Sequence, residues 1–500
     1  MNEYRGNFIA NTWTAPTSPD GHLVRENPCR KSETIYEFGW DVASVDRAVA
    51  AARKALSGWD RLGLDARMPY LQRFRQALAN RAEAMARAIA LETGKPLWEA
   101  RTEVSGLTAK IDIMAGEGLQ YTADVYPEGL DGGSFRARPL GVVAVLGPFN
   151  FPLHLANGHI IPALLSGNTV VVKPSELTAS SMQLYFECIE EADFPAGVIN
   201  LVHGPGPVGA ALAGHPSINA VLFTGSYETG LRIQQATLHQ HWKLLALEMG
   251  GKNTSIVLED ADLAQAAHEI LMASCLTTGQ RCSATSRIVL HEQIADAFTE
   301  RFVELVSRVT TGDAFADDAF MGPLVNKAAF DKFIGAQQLT ENANLTPLLE
   351  GGPARPDLDG YFVKPAIWRA HKVDPSGAHQ SCEIFGPDII IYHASNDDHA
   401  AHIANATEYG LAMSVFTADE TRFDNLAYEL QTGILNMNRS TVGASSRLPF
   451  GGVKKSGNHR PSAILAGQYC TFPQSQLRQR AGWTDDQLQK PPLSLLLGKF

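Results

Sequence analysis

The sequence predicts an α/β protein: two doubly wound domains on mostly parallel sheets, with a small β arm outside both. Three observations carry this. Short, continuously apolar runs recur through residues 142–248, separated by segments of helical or loop character. A second series of such runs extends from 255 to 438. Two segments with polar alternation, 136–138 and 468–472, lie far apart and outside both series. A strand that is apolar at every position is covered on both faces, the condition of a parallel sheet between helices. In such sheets ligands sit beyond the carboxyl ends of the strands.

In chain order, the first 40 residues are polar and rich in Pro, Asn and Gly, and read as an extended lead-in. Helical spacing follows over 44–56, then over 65–93. The second pattern stops at Gly94 with Pro96 just beyond, a common helix ending. Another helical pattern covers 98–120. The first series of strands is VVAVL (142–146), TVVVK (169–173), VINLV (198–202), AVLFT (220–224) and LLALE (244–248). The second is 255–259, 287–291, 388–394, 411–417 and 434–438. Residues 345–359, with their Gly and Pro content, read as a surface excursion. Segments 136–138 and 468–472 are expected to pair. The division expected is 1–125 with 142–252, then 253–437, an arm of 126–141 with 466–480, and a return segment of 438–465.

Five hundred residues are too many for one core. A chain 45% hydrophobic and 19% charged is an ordinary globular one. The net charge of −11 argues against nucleic-acid or membrane-surface partners. Six cysteines (Cys29, Cys188, Cys275, Cys282, Cys382, Cys470) without framework spacing read as reduced thiols in a cytoplasm. The N-terminus has no basic-then-apolar pattern, and no apolar run approaches the roughly 18 residues that span a bilayer. In that setting the sequon Asn253-Thr254-Ser255 is a chance match. No metal is expected.

The chemistry gathers around T-T-G-Q-R-C at 277–282. A lone cysteine is usually a small buried hydrophobe, and Cys275 reads that way. Cys282 has candidate helpers. Glu248 ends a strand and precedes Gly250 and Gly251, so its carboxylate can approach a reacting centre unobstructed. A thiolate with a carboxylate base suits a two-step covalent route: attack on a carbonyl, then thioester hydrolysis by activated water. Asn150, in PFNFP after the first strand, can donate to a developing oxyanion beside the Cys282 N–H, although Asn beside Pro is also ordinary turn chemistry. There is no GxGxxG. Instead AVLFT runs into Gly225, Ser226 and Gly230 before a helical pattern, a turn that suits a phosphate at a helix N-terminus or merely a steric need for glycine. Lys173 and Glu176, in KPSE, can bind ribose hydroxyls or be a solvated loop.

PFNFP, KPSE, FTGS, LEMGG, GQRC and EIFGP occur in this order. The ordered set resembles the aldehyde dehydrogenase superfamily over about residues 40 to 475. The resemblance implies an aldehyde dehydrogenase-like fold: a Rossmann-like NAD-binding domain (1–125, 142–252), an α/β catalytic domain (253–437), a small β oligomerisation arm (126–141, 466–480) and a return segment (438–465) with a substrate-tunnel loop. It implies Cys282 as nucleophile, Glu248 as general base for deacylation, and Asn150 with the Cys282 amide as oxyanion hole. It implies Lys173 and Glu176 as ribose contacts, Gly225, Ser226 and Gly230 in the pyrophosphate turn, and Glu383 and Phe385 on the nicotinamide side. The reaction implied is NAD-dependent oxidation of an aldehyde through a thiohemiacetal and thioester, in a cytoplasmic homodimer or homotetramer. NAD over NADP rests on Glu176, whose carboxylate repels a 2′-phosphate. Tyr227 departs from the pattern, standing where many members carry a small residue.

The segment SGNHRPSA (456–463) after PFGG is not general to the superfamily. With FPLHLANGHI (151–160), GQRC and ASS (444–446), it resembles the subgroup of N-succinylglutamate 5-semialdehyde dehydrogenases. That implies an acidic semialdehyde as substrate. Glutamate or succinate semialdehyde, or a catalytically silent relative, are the alternatives. A carboxylate-bearing substrate needs cations near the tunnel, and Arg281, Arg447, His459 and Arg460 are candidates, each also readable as a structural contact.

Overall fold

A computed structural model describes residues 4–339 and 344–479. Residues 1–3 of the expected NAD-binding domain, 340–343 of the expected catalytic domain and 480 of the expected arm lie outside the described residues.

The first sheet has seven strands, in the order Leu244–Glu248, Ala220–Thr224, Val142–Leu146, Thr169–Lys173, Ile199–Leu201, Asn7–Ile9 and Thr12–Thr14. The first five are parallel. Val142–Leu146, Thr169–Lys173 and Ala220–Thr224 are buried at every position, as two covering helix layers require. The chain leaves Val142–Leu146 toward 169–173 on one side and returns to 220–224 on the other. The strand order therefore reverses between Leu146 and Thr224, and a crevice opens beyond their carboxyl ends. The lead-in is more structured than its composition suggests. Asn7–Ile9 and Thr12–Thr14 extend the sheet antiparallel, and Gly21–Asn27 pairs with Arg30–Trp40.

Four helices follow: Ala43–Arg61, Gly63–Asn80, Ala82–Thr93 and Leu97–Ala115. The single pattern expected over 65–93 breaks at Arg81, whose backbone (φ −107°, ψ 12°) leaves the helical region. Gly94, at φ 75°, ends the third helix in the left-handed conformation that glycine adopts at least cost.

The second sheet runs Leu345–Leu349, Ala366–Ala370, Asp388–Ala394, Thr285–His291, Asn253–Val257, Ala412–Phe416 and Ile434–Met437. All neighbours are parallel except the first pair. Part of the expected surface excursion is thus an edge strand, recruited antiparallel by a strand, Ala366–Ala370, that the apolar pattern did not single out. Gly133–Pro139 pairs antiparallel with Thr471–Leu477 over seven residues. The second of these strands begins later than expected, because Ala466–Tyr469 is a helical turn. Among the described residues no helix is long and apolar enough to cross a membrane.

Candidate active site

A cavity of about 920 Å³ opens at the reversal of the first sheet. Its wall includes Lys173, Glu176, Gly225, Ser226, Glu383 and Phe385, and also Asn150 and Cys282. Lys173 ends its strand with Nζ 3.2 Å from Glu176 Oε2. Burial lowers the Lys173 pKa and the Glu176 charge opposes that shift. Ser226 caps the helix Tyr227–Ala236, its Oγ accepting from Thr229 N at 3.3 Å, so the start of that helix faces the cavity. Gly225 is small because a Cβ there would lie 2.4 Å from the Phe223 ring. Gly230 is not on the wall: it is buried, and a Cβ would meet Met249 Sδ at 2.4 Å. Tyr227 is also off the wall, its ring 4.9 Å from Lys455 Nζ.

Cys282 follows a turn bent hard against its own side chains. The helix Leu263–Cys275 gives way to three residues in the left-handed region, Thr277 (φ 54°), Thr278 (φ 55°) and Gly279 (φ 69°). Each such threonine costs on the order of 1–3 kcal/mol, so the surroundings must hold it. Glu99 does most of this. Its carboxylate accepts from Thr277 N at 2.9 Å and from the Thr277 hydroxyl, and pairs with Arg281 at 2.7 Å. Burial pushes the Glu99 pKa up, but the Arg281 and Lys95 charges and these hydrogen bonds outweigh it and leave a net lowering. Thr278 Oγ1 donates to Gly322 O at 2.9 Å. Gly279 lies against Gly386, whose carbonyl carbon would be 2.3 Å from a Cβ. On the far side, Asn253 Nδ2 donates to Cys282 O at 2.7 Å and to Ala284 O at 2.9 Å. The sequon asparagine therefore holds the backbone of the thiol.

Asn150 is held from the helix that carries Glu99 and from Lys95 just before it. Lys95 and Glu103, buried and paired at 2.7 Å, grip the loop: Lys95 Nζ donates to Asn150 O at 2.7 Å, and Glu103 Oε1 accepts from Leu153 N at 3.1 Å. One Asn150 amide hydrogen goes to Gln280 O at 2.9 Å, which ties the Asn150 loop to the cysteine loop. The Cys282 N–H takes no hydrogen-bond partner among the described residues. Asn150 and Cys282 thus line the same cavity from the two domains expected from the sequence.

Glu248 is fully buried, and the side chain that meets its carboxyl is the Cys282 thiol. Burial pushes its pKa well up; the nearby Cys282 thiol lowers it and Glu383 raises it further. The Cys282 thiol is raised by burial and then by Glu248 and Glu383, with the Ser283 N–H and Arg281 opposing. Both shifts run upward, with burial the largest cause of each. The glycines after Glu248 have different tasks. A Cβ on Gly250 would lie 2.0 Å from Glu383 Oε2, and one on Gly251 2.4 Å from Cys282 O. Gly251 N also donates to Glu383 Oε1 at 2.9 Å. The Phe385 backbone is left-handed (φ 60°) and its ring meets Phe149 edge-on, centroids 6.0 Å apart.

The expected substrate cations separate. Arg281 turns into the protein, onto Glu99 and over the Phe151 ring at 4.9 Å. Arg447 pairs with Glu117 at 2.8 Å on the surface. Arg460 donates to Gly452 O at 2.6 Å and is close enough to lower the Glu248 pKa. His459 and Arg460 both have positive φ, and their loop is fastened to the catalytic strand: Asn458 N donates to Leu247 O at 3.1 Å and Met249 N to Ser456 O at 3.0 Å. Sequence reasoning passed over Lys95, Glu99, Glu103 and Asn253. The available signal was Glu99 and Glu103 at i, i+4 among positions that also read as core.

This fold, with a thiol and an amide on the wall of a dinucleotide-sized cavity and a carboxyl buried against the thiol, is that of an oxidoreductase of aldehyde chemistry. The Aldehyde dehydrogenase family profile matches residues 13–472, and the chain belongs to that family. More particularly, it is 40% identical over 488 residues to N-succinylglutamate 5-semialdehyde dehydrogenase of Burkholderia mallei (strain SAVP1), covering 97% of each chain. The enzyme of that name from Burkholderia cenocepacia (strain HI2424) is 40% identical over 476 residues. Among solved structures, a putative aldehyde dehydrogenase from Burkholderia cenocepacia superposes with a TM-score of 0.89 at 34% identity, covering 94% of this chain and 96% of that one. Betaine aldehyde dehydrogenase of Staphylococcus aureus, crystallised with NAD+, superposes with a TM-score of 0.90 at 29% identity, covering 96% and 97%.

Proposed function

We propose that the protein oxidises N-succinyl-L-glutamate 5-semialdehyde to N-succinyl-L-glutamate with NAD and water. The supporting observation is one cavity whose wall carries Cys282 and Asn150 together with Lys173 and Glu176. Relatives at 40% identity bear the name of that activity. The residues present suit NAD. Lys173 and Glu176 offer a donor and an acceptor to ribose hydroxyls, Gly225 and Ser226 open a helix N-terminus toward phosphate, and Glu383 and Phe385 share the same wall. Bound there, the nicotinamide supplies the hydride acceptor.

The chain's own residues do the rest. The Cys282 thiol gives its proton to the Glu248 carboxylate, which later releases it to water, as the sulfur adds to the aldehyde carbon, and the new oxyanion accepts from the Asn150 amide and the Cys282 N–H. The resulting thiohemiacetal, once oxidised, is a thioester on Cys282. Glu248, raised by burial, is the stronger base for being so, and takes a proton from the water that hydrolyses the thioester. The free thiol then returns. We further read the protein as a cytoplasmic homodimer or homotetramer, a reading that the six unbridged cysteines and the paired arm strands support.

The test is NADH formation on N-succinylglutamate 5-semialdehyde, glutamate semialdehyde and succinate semialdehyde, ranked by kcat/KM. The succinylated compound should lead. A higher rank for either of the others would replace it as the substrate. Cys282→Ala should abolish turnover on all three while leaving NAD affinity within a few-fold, and retained dehydrogenase activity would remove Cys282 from the mechanism.

A further inference from the structure

Lys110 has no role in the chemistry above and is costly where it stands. It lies in the helix Leu97–Ala115, only 2% exposed, and burial alone pushes its pKa down, to about 8. No carboxylate among the described residues offsets it. The titratable groups it does influence, His154 and His159, are cationic when charged, and burial holds both neutral at a pKa of about 3. His154 Nδ1 is itself buried without a hydrogen-bond partner. A buried ammonium beside two neutral imidazoles lacks an anion.

Position supplies the reason. Glu99, Glu103, Gly106 and Lys110 form one stripe of this helix. Glu99 holds the cysteine loop and Glu103 holds the amides after Asn150. A Cβ on Gly106 would lie 2.9 Å from His154 Nδ1. Lys110 comes next, seven residues beyond Glu103 or about 10 Å along the helix. Opposite it, in the helix His154–Leu165, stands Gly158. That glycine is not forced by crowding: a Cβ there would be 3.4 Å from Ser462 Oγ and 3.9 Å from Lys110 Cε and Nζ, ordinary contacts. Glycine inside a helix is unfavourable, and its use here leaves room for at least a methyl group beside the ammonium and the Ser462 hydroxyl. Ser462 closes the loop that is fastened to Leu247 and Met249.

We propose that Lys110 is the specificity-determining counter-ion for a carboxylate of the substrate remote from its aldehyde, met in the space that Gly158 leaves beside Ser462. This rests on the acidic-semialdehyde reading above. An extended chain of about eight bonds, the separation of the aldehyde and succinyl carboxyl carbons, spans about 10 Å, the same order as the rise of the helix from Glu103, which holds the loop of Asn150, to Lys110.

Lys110→Met and Lys110→Arg test it, with kcat and KM measured on N-succinylglutamate 5-semialdehyde and on butanal under saturating NAD. The expected result for Lys110→Met is a KM for the acidic aldehyde raised at least about tenfold, a fall of similar size in the acid-to-butanal ratio of kcat/KM, and partial recovery of that ratio in Lys110→Arg. A wild-type enzyme without preference for the acid overturns both the substrate reading and this proposal. A wild-type preference that persists in Lys110→Met overturns this proposal alone. Should Lys110→Met not fold, Gly158→Val, which fills the space and keeps the ammonium, is expected to lower the same ratio, and an unchanged ratio there overturns the proposal.

Discussion

Glu383 is the residue at which position and titration meet. Its carboxyl lies over Gly250 and accepts from Gly251 N, on the wall of the proposed cofactor cavity. Burial raises its pKa to about 7; the Gly251 N–H and the Lys332 charge oppose the shift and Glu228 adds to it. Below that pH the group is a neutral acid, and above it a carboxylate, which accepts hydrogen bonds from ribose hydroxyls more strongly. NAD affinity should therefore increase as pH rises through about 7. Titration calorimetry across about pH 6 to 8 should show this in the wild type and a flatter profile in Glu383→Gln. Parallel profiles would remove Glu383 from the cofactor's contacts. The sequence named this residue through EIFGP and the Cys282 partners through their motifs. It did not reveal Asn253, because the only pattern there was a glycosylation sequon, whereas its work is to accept Ala412 N and donate to Cys282 O across the start of the second sheet.

At the scale of elements, the helix Leu97–Ala115 determines how firmly the site is built. Its buried positions include Glu99, Glu103 and Lys110 as well as Ala100, Val104 and Leu107. Charges on a helix are ordinarily read as its solvated face, so nothing in the spacing alone reveals that both faces are covered. Only the partners do, and they come from loops some 50 and 180 residues away, Leu153 and Thr277. Replacing Glu99 by Ala strips Arg281 of its carboxylate where the guanidinium side chain is 12% exposed, and frees the left-handed Thr277. Breaking a buried pair in this way costs about 3–5 kcal/mol. The variant should melt at a lower temperature and lose at least about tenfold in kcat, because the sulfur is no longer held against Asn150. NAD affinity should change little. Thermal melting with steady-state kinetics checks both, and a wild-type kcat would mean the turn holds itself.

For the whole molecule, the interior of each sheet and one outer strand, Leu244–Glu248 or Ile434–Met437, were legible, and the opposite margin was not. Strands such as Val142–Leu146 carry their own evidence because both faces are covered. Asn7–Ile9, Leu345–Leu349 and Ala366–Ala370 join at or near an edge, where one neighbour or one covered face is enough and composition says little. The arm is the extreme case. Gly133–Pro139 and Thr471–Leu477 form a two-stranded sheet, which is marginal alone in water and leaves unpaired strand edges. It also exposes Phe135 at 40%, Phe472 at 45% and Leu477 at 78%. Such a ribbon is expected to be stabilised by a second copy of the chain, as the homodimer or homotetramer reading requires. Phe472→Glu with Leu477→Glu puts two like charges on that surface without touching a residue of the cavity wall. Sedimentation velocity should show the variant at a lower assembled mass than the wild type. Each separated chain should still bind NAD, since neither Phe472 nor Leu477 lies on the wall of the cavity. An unchanged mass would mean that assembly, where it occurs, uses another face.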